Sequence, residues 1–183
     1  AEGTLGVVTS ATLALQPIPK SSGVALLQFK SVADAAACAF ELVRTGVDVS
    51  RAELMDELMV DAVRASISSA ERDAIELDAG RAVLMVEVTG QSEQDVAAKS
   101  SAVVNVGARC NGDGFKLCHG NDETAMQQKR ELWRVRKEAY WSAFVLRQGA
   151  SIWTTDVCVP LDRLVECIMD TRRDLNESGV LAP

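Results

Sequence analysis

GVALLQFKSVADAAACAFELVRTG, residues 23–46, decides the fold, because a buried strand runs directly into a capped helix. The apolar run at 23–30 has the length and composition of a strand in a protein core. Ser31 followed by Asp34 resembles a capping box, which predicts a helix start. The apolar-rich segment behind it ends at Gly46, and glycine is common just past the end of a helix.

The same unit occurs twice along the chain. A return strand is predicted over 47–55, and a second copy follows with a strand at 81–88, a helix from Ser92 to about Gly107 and a strand at 115–119. The capping serine and the closing glycine are about 15 residues apart in both copies. Two βαβ units of this size predict an α+β fold with ferredoxin-like βαβ repeats, in which an antiparallel sheet has helices packed on one face.

The remaining segments are assigned from their hydrophobic period. We predict a strand over 5–16, a helix over 57–66, a surface excursion over 67–79, a long helix over 122–147, a strand over 150–159 and a helix from Pro160 to Glu177. IPKSSG (18–23) has the composition of a linker, so we place a domain boundary between 1–19 and 20–183. The last strand and helix have no return strand, and we expect the natural protein to continue at both ends.

Composition excludes several classes of function. The net charge is −7, acidic and basic residues are interspersed, and Trp, Tyr and Phe number 3, 1 and 4, which argues against a nucleic-acid partner. No apolar run approaches the roughly 20 residues of a membrane-spanning helix. The five cysteines include no C-x-x-C pair, so reduced and mostly buried thiols are expected. The single histidine, His119, is interpreted as a surface residue at a strand end.

The long helix at 122–147 carries the candidate binding residues. One stripe of apolar residues faces the core, and the neighbouring stripe contains Arg136 and Tyr140, which are one turn apart. A guanidinium fork beside a phenol can bind a small carboxylate. Alternatively, Arg136 pairs with an acidic residue of another element or faces solvent, since its own helix offers no acidic partner three or four residues away. The carboxylates of ELMDEL (53–58) are interpreted as a solvated helix start.

Several stretches resemble a known family. EGTLGVVTSATLALQPIP (2–19) resembles the end of the flavin-binding domain in FAD-linked oxidases of the vanillyl-alcohol-oxidase type. RAELMDELMV (51–60), ELWRVRKEAYWSAFVLR (131–147) and TTDVCVPLDRL (154–164) resemble the cap domain of the FAD-dependent D-lactate dehydrogenase group, of the cytochrome type. The likeness follows nearly the whole chain in the expected order.

The resemblance implies a reaction in which FAD takes a hydride from C2 of a D-2-hydroxy acid and the cap domain holds the substrate carboxylate. By this likeness, Arg136, Tyr140 and Thr154 bind substrate, and Thr154 stands where D-2-hydroxyglutarate relatives carry a lysine. The first motif implies cofactor contacts for Gly3, Thr4, Gly6, Val7 and Val8. The implied partners are a small 2-hydroxy acid such as lactate and an electron acceptor such as cytochrome c, and the implied location is the mitochondrion.

The resemblance also implies parts that this chain does not carry. The family's His-x-Gly-Asp-Gly-Asn-x-His run, which supplies the base and the divalent metal, taken as zinc, is absent, and NGDG at 111–114 lacks its histidines. We therefore expect no catalytic residue, no bound FAD, no metal and no activity in this chain alone. A second hypothesis is a standalone α+β protein-interaction module, since some relatives are described as actin-interacting proteins.

Overall fold

The computed structural model describes residues 3–15 and 17–183. The elements follow in the order β1 (Ser21–Phe29), α1 (Val32–Arg44), β2 (Arg51–Met55), α2 (Glu57–Ser66), α3 (Ser69–Ile75), β3 (Ala82–Gly90), α4 (Glu93–Arg109), β4 (Gly114–His119), α5 (Glu123–Ser142) and α6 (Leu164–Glu177). Short 3-10 helices occupy Ala143–Leu146 and Leu161–Arg163.

The four strands form an antiparallel sheet in the order β2-β3-β1-β4. This order follows from two βαβ units, each of which returns its second strand beyond a strand of the other unit. Ser31 and Ser92 cap α1 and α4 as predicted, because each hydroxyl accepts a hydrogen bond from the backbone N–H three residues later, at 3.2 Å. The predicted α+β class and antiparallel sheet are confirmed.

Helices cover both faces of the sheet, where the sequence predicted one covered face. The repeat helices α1 and α4 pack on one side, around Leu27 and Phe29. On the other side α2 and α5 pack around Leu26 and Met85. The reason lies in β1 and β3, whose side chains are buried at almost every position, so that both faces must be covered.

Three predicted segments differ from the structure. Residues 67–79 are more than a surface excursion, since they contain α3 and bury Ile75 and Leu77. Residues 150–159 form no strand, and within 5–15 no residue is in a strand, while residue 16 lies outside the described residues. Alternating sequence alone does not make a strand, because each strand needs a hydrogen-bonded neighbour, and neither segment has one among the described residues.

An ion pair joins the short helix α3 to α5. Glu71 completes a capping box with Ser68 at the start of α3, and its Oε1 lies 2.6 Å from Nη2 of Arg134. Hydrogen bonds from the Ser68 side chain and backbone, and then from Arg134, lower the pKa of the Glu71 carboxyl to about 2. The ionised form is therefore favoured in the folded protein.

This shift predicts a pH dependence of stability. The pKa of Glu71 in the folded protein lies below its value of about 4.3 in the unfolded chain. The ionised carboxylate therefore stabilises the fold above about pH 4.3, and this stabilisation is lost as the pH falls towards 2. Glu71→Gln keeps a side chain that can complete the capping box but cannot ionise. Urea unfolding should show the variant less stable than the wild type at pH 7, with the difference closing by about pH 2. A difference that does not change with pH would contradict this assignment.

Candidate functional site

Helix α5 carries the predicted binding residues and is fixed firmly to the sheet. Asp122 caps its first turn by accepting a hydrogen bond from the N–H of Ala125 at 2.9 Å. Leu132, Val135 and Ala139 form the buried stripe that the sequence predicted. Lys129 is 9% exposed and donates hydrogen bonds to the carbonyl oxygens of Ser22, at 3.0 Å, and Gly120, at 2.9 Å. These contacts hold the first half of α5 against the ends of β1 and β4.

Strand β2 lies at the outer edge of the sheet and turns alternate side chains towards α5. Met55 packs in the same buried cluster as α5, and side chains two residues apart on a strand share a face. Arg51 and Glu53 therefore lie on the α5 side, opposite Glu87 and Met85 of β3. Asp56 follows as the cap of α2, and burial raises the pKa of its carboxyl.

Arg136 pairs with Glu53. The distance from Nη2 to Oε2 is 3.0 Å, and the two side chains are 47% and 35% exposed. The alternative of a partner from another element is thus confirmed for Arg136. The interpretation of 53–58 as a solvated helix start is wrong, because Glu53 belongs to β2 and the helix begins only at Glu57, whose carboxylate contacts Arg172 at 2.8 Å.

Arg51 makes a second link between β2 and α5. Its guanidinium carbon lies 3.9 Å from the ring centroid of Trp133, a cation–π contact, and it also pairs with Glu87. The indole Nε1 of Trp133 is buried and has no hydrogen-bond partner among the described residues. Two residues of one strand thus contact two residues of one helix, Arg51 with Trp133 and Glu53 with Arg136.

Tyr140 follows Arg136 by one turn and is 42% exposed. Its ring makes edge contacts with Trp141, at 5.1 Å between centroids, and with Phe144, at 6.0 Å. Thr154 lies exposed in the irregular segment 147–160 and has no hydrogen bond to Arg136 or Tyr140 in the part of the chain described. Arg136 and Tyr140 thus lie one turn apart on α5, and no hydrogen bond among the described residues links Thr154 to either of them.

The predicted cofactor residues lie in an exposed arm, residues 3–15 and 17–20, that precedes β1. Val7 and Val8 are 90% and 84% exposed. Gly3 has φ +81°, and apart from the chain neighbours no described atom lies within 4 Å of where a Cβ of Gly3 or Gly6 would stand. Thr4 is exposed like its neighbours. Glycine backbone without neighbouring side chains allows close approach by another group.

The other titratable side chains are candidates for metal ligands and for reactive thiols. Among residues 3–15 and 17–183, no group of three or more His, Cys, Asp or Glu side chains could hold a metal ion. All five cysteines are free, and His119 is exposed at the end of β4, as predicted. Burial raises the pKa of Cys38 to about 12, so this thiol stays protonated. Over the same residues, no helix combines the length and apolar character needed to cross a membrane.

Sequence reasoning missed Arg51 and Glu53. They lie two residues apart in RAELM, the alternation of a strand with one polar face, but the carboxylates at 53–58 also fit a helix. The contacts of Arg51 and Glu53 with α5 depend on the position of β2 in the sheet, and the local sequence does not predict that position.

Comparison with known proteins places this geometry in a family. The sequence-family model for the C-terminal domain of FAD-linked oxidases matches residues 18–182 of this chain. The chain belongs to this family. The FAD-linked oxidase C-terminal domain thus includes both β2 and α5, and the family resemblance identified from the sequence is confirmed.

Relatives of this FAD-linked oxidase domain carry D-lactate dehydrogenase names. A mitochondrial D-lactate dehydrogenase [cytochrome] of Arabidopsis thaliana is 36% identical over 180 residues, 98% of this chain and 30% of that protein. The mitochondrial D-lactate dehydrogenase [cytochrome] 1 of Saccharomyces cerevisiae is 34% identical over 98% of this chain and 30% of its own length. A probable mitochondrial D-lactate dehydrogenase of Danio rerio is 32% identical over 100% of this chain and 34% of its own length. The chain thus spans about a third of these relatives.

A solved structure shares the fold of the FAD-linked oxidase domain. An alkyldihydroxyacetonephosphate synthase aligns with a TM-score of 0.56 and 12% identity, over 88% of this chain and 32% of that chain. At this identity the match shows the fold alone.

Proposed function

We propose that this domain supplies the substrate-carboxylate side of the active site in a longer FAD-dependent D-2-hydroxyacid dehydrogenase, with D-lactate as the substrate. The family membership and the names of the relatives support this class of enzyme. The observation that carries the proposal is the half-exposed guanidinium of Arg136, which forms an ion pair with Glu53 at 3.0 Å but no hydrogen bond to the described residues.

Arg136 is suited to bind a carboxylate. Its guanidinium makes no hydrogen bond to the described residues, and its one ion-pair partner among them is Glu53, so N–H donors remain for a second anion. Planar guanidinium groups bind carboxylates through two parallel hydrogen bonds, which fix orientation as well as affinity. The exposed Tyr140, one turn further along α5, can add a hydrogen bond from its phenol.

Thr154 bears on the choice of substrate. A substrate with a second carboxylate needs a positive partner at its far end, and Thr154 offers only a neutral hydroxyl. We therefore propose a short monocarboxylate, and D-lactate fits the names of the relatives. Thr154 would join the site from the segment 147–160.

The bound flavin would accept the hydride, and the chain's own residues would hold the substrate for it. We propose that Gly3, Thr4, Gly6, Val7 and Val8 line one edge of the flavin site, and that 1–19 belongs to the FAD-binding domain while 20–183 forms the cap. The exposed apolar side chains of the arm, such as Leu5 and Leu15, at 88% and 85%, suit burial against another domain. The described residues do not fit a metal site, so we derive no step through one.

We further propose a mitochondrial location and a cytochrome acceptor, because the relatives carry both terms in their names. The isolated 183-residue chain should have no dehydrogenase activity, since it offers one side of the site only. The second interpretation, a protein-interaction module, stays a prediction.

A substrate comparison on the full-length protein tests the proposal. The purified enzyme should show flavin absorbance, and D-lactate should bleach it and give a higher kcat/KM than glycolate or D-2-hydroxyglutarate. The isolated chain serves as the control and should show neither absorbance nor turnover. A full-length protein without flavin would contradict the enzyme class, and a preference for D-2-hydroxyglutarate would contradict the argument from Thr154.

A further inference from the structure

We propose that Glu53 is a positioning residue that holds the guanidinium of Arg136 in place for the substrate carboxylate. The proposal rests on the proposed function of Arg136 and adds a residue that the resemblance does not assign. Glu53 acts through Arg136 and does not itself touch substrate.

The carboxylate of Glu53 is attached to a rigid element. Its backbone lies in the ladder between β2 and β3, opposite Met85. Two residues further along, Met55 is 5% exposed and anchors the strand in the core. The guanidinium of Arg136, in contrast, ends a long side chain that is 47% exposed, and a free arginine side chain loses rotamer entropy when it is fixed. A strand-borne carboxylate 3.0 Å away reduces that loss before substrate arrives.

The geometry of the pair leaves room for a second anion. The contact between the two groups joins Nη2 of Arg136 to Oε2 of Glu53 at 3.0 Å, and the two side chains form no bidentate pair of hydrogen bonds. A bidentate pair would use two nitrogens and two oxygens and would compete with a bound carboxylate. An ion pair without bidentate hydrogen bonds instead limits the rotation of the guanidinium and leaves its N–H donors available.

Arg51 does not compete for Glu53. It stacks on Trp133 and pairs with Glu87, so its charge is already matched. Arg51 and Arg136 thus have separate roles, and Arg136 is the one ion-pair partner of Glu53 among the described residues.

The test measures steady-state kinetics of the full-length holoenzyme with D-lactate. Glu53→Gln keeps the size of the side chain and removes its charge. Half-exposed ion pairs contribute little binding energy. For Glu53→Gln we therefore expect KM to rise about 3- to 5-fold while kcat changes less than about 2-fold. Glu53→Asp keeps the charge and should recover part of the loss. Glu138→Gln, which removes the carboxylate paired with Arg134 on the same helix, is the matched control and should leave KM unchanged.

A double-mutant cycle separates positioning from a general structural role. In an Arg136→Ala background, Glu53→Gln should have no further effect on KM. An equal rise in KM with and without Arg136 would overturn the proposal, and so would an unchanged or lowered KM in Glu53→Gln when Arg136→Ala alone is impaired. Normal kinetics of Arg136→Ala would instead remove the proposed function of the site, together with this role of Glu53.

Discussion

Replacing Arg136 with alanine in the full-length enzyme should lower kcat/KM for D-lactate by about 30- to 1,000-fold. The range corresponds to about 2–4 kcal/mol, the cost of losing charge-assisted hydrogen bonds to a carboxylate. The KM should rise because the carboxylate is held in the ground state as well as in the transition state. Steady-state kinetics with D-lactate, alongside a check of flavin content, measure the effect.

Two further variants make this result specific. Arg136→Lys keeps the charge but loses the planar fork, so its kcat/KM should fall between those of the wild type and Arg136→Ala. Arg130 is an exposed arginine on the same helix whose side chain hydrogen-bonds only Gln127 among the described residues, and Arg130→Ala should have wild-type kinetics. If Arg136→Ala behaves like Arg130→Ala, Arg136 does not bind substrate.

Replacing Leu27 with alanine should lower the free energy of unfolding of the domain by about 2.7–5 kcal/mol. Leu27 is fully buried in β1 and packs under α4, where its Cδ2 lies 2.5 Å from the point at which a Cβ of Gly107 would stand. The helix approaches the sheet so closely here that the space left by Leu27 cannot easily close. Urea unfolding of the 183-residue chain, followed by circular dichroism, measures the change.

Leu117 provides the matched control for this substitution. It is the same residue type on the neighbouring strand β4 and is 39% exposed. Leu117→Ala should lower the free energy of unfolding by less than half as much as Leu27→Ala, because less apolar surface is lost from the core and no closed cavity forms. Equal losses for the two variants would mean that Leu27 does not lie in a tightly packed region.

The sequence predicted the elements whose causes are local. The caps at Ser31 and Ser92 determine where α1 and α4 begin, and the helix at 57–66 was predicted with its observed bounds. The predictions were wrong where a neighbour decides the outcome. The alternating segment at 150–159 matches a strand pattern, but the structure gives it no partner strand. Pattern reasoning describes one segment at a time and so cannot supply a missing neighbour.

Part of the candidate site could likewise be predicted from local sequence, and part depends on the arrangement of the sheet. Arg136 and Tyr140 lie one turn apart on a helix, so their proximity follows from helical spacing. Glu53 reaches Arg136 only because β2 returns to the outer edge of the sheet beside β3, some 80 residues earlier in the chain. The assignment of Thr154 came from the resemblance alone, and it stays a prediction.

The hydrogen bonds of Lys129 affect how the site should respond to ionic strength. This buried ammonium group attaches α5 to the sheet through neutral oxygens, two carbonyls and the hydroxyl of Ser22, so dissolved ions have little to screen. The half-exposed contact between Arg136 and Glu53 is a pair of opposite charges and is open to screening. Concentrated salt should therefore loosen the arginine while the helix that carries it stays attached.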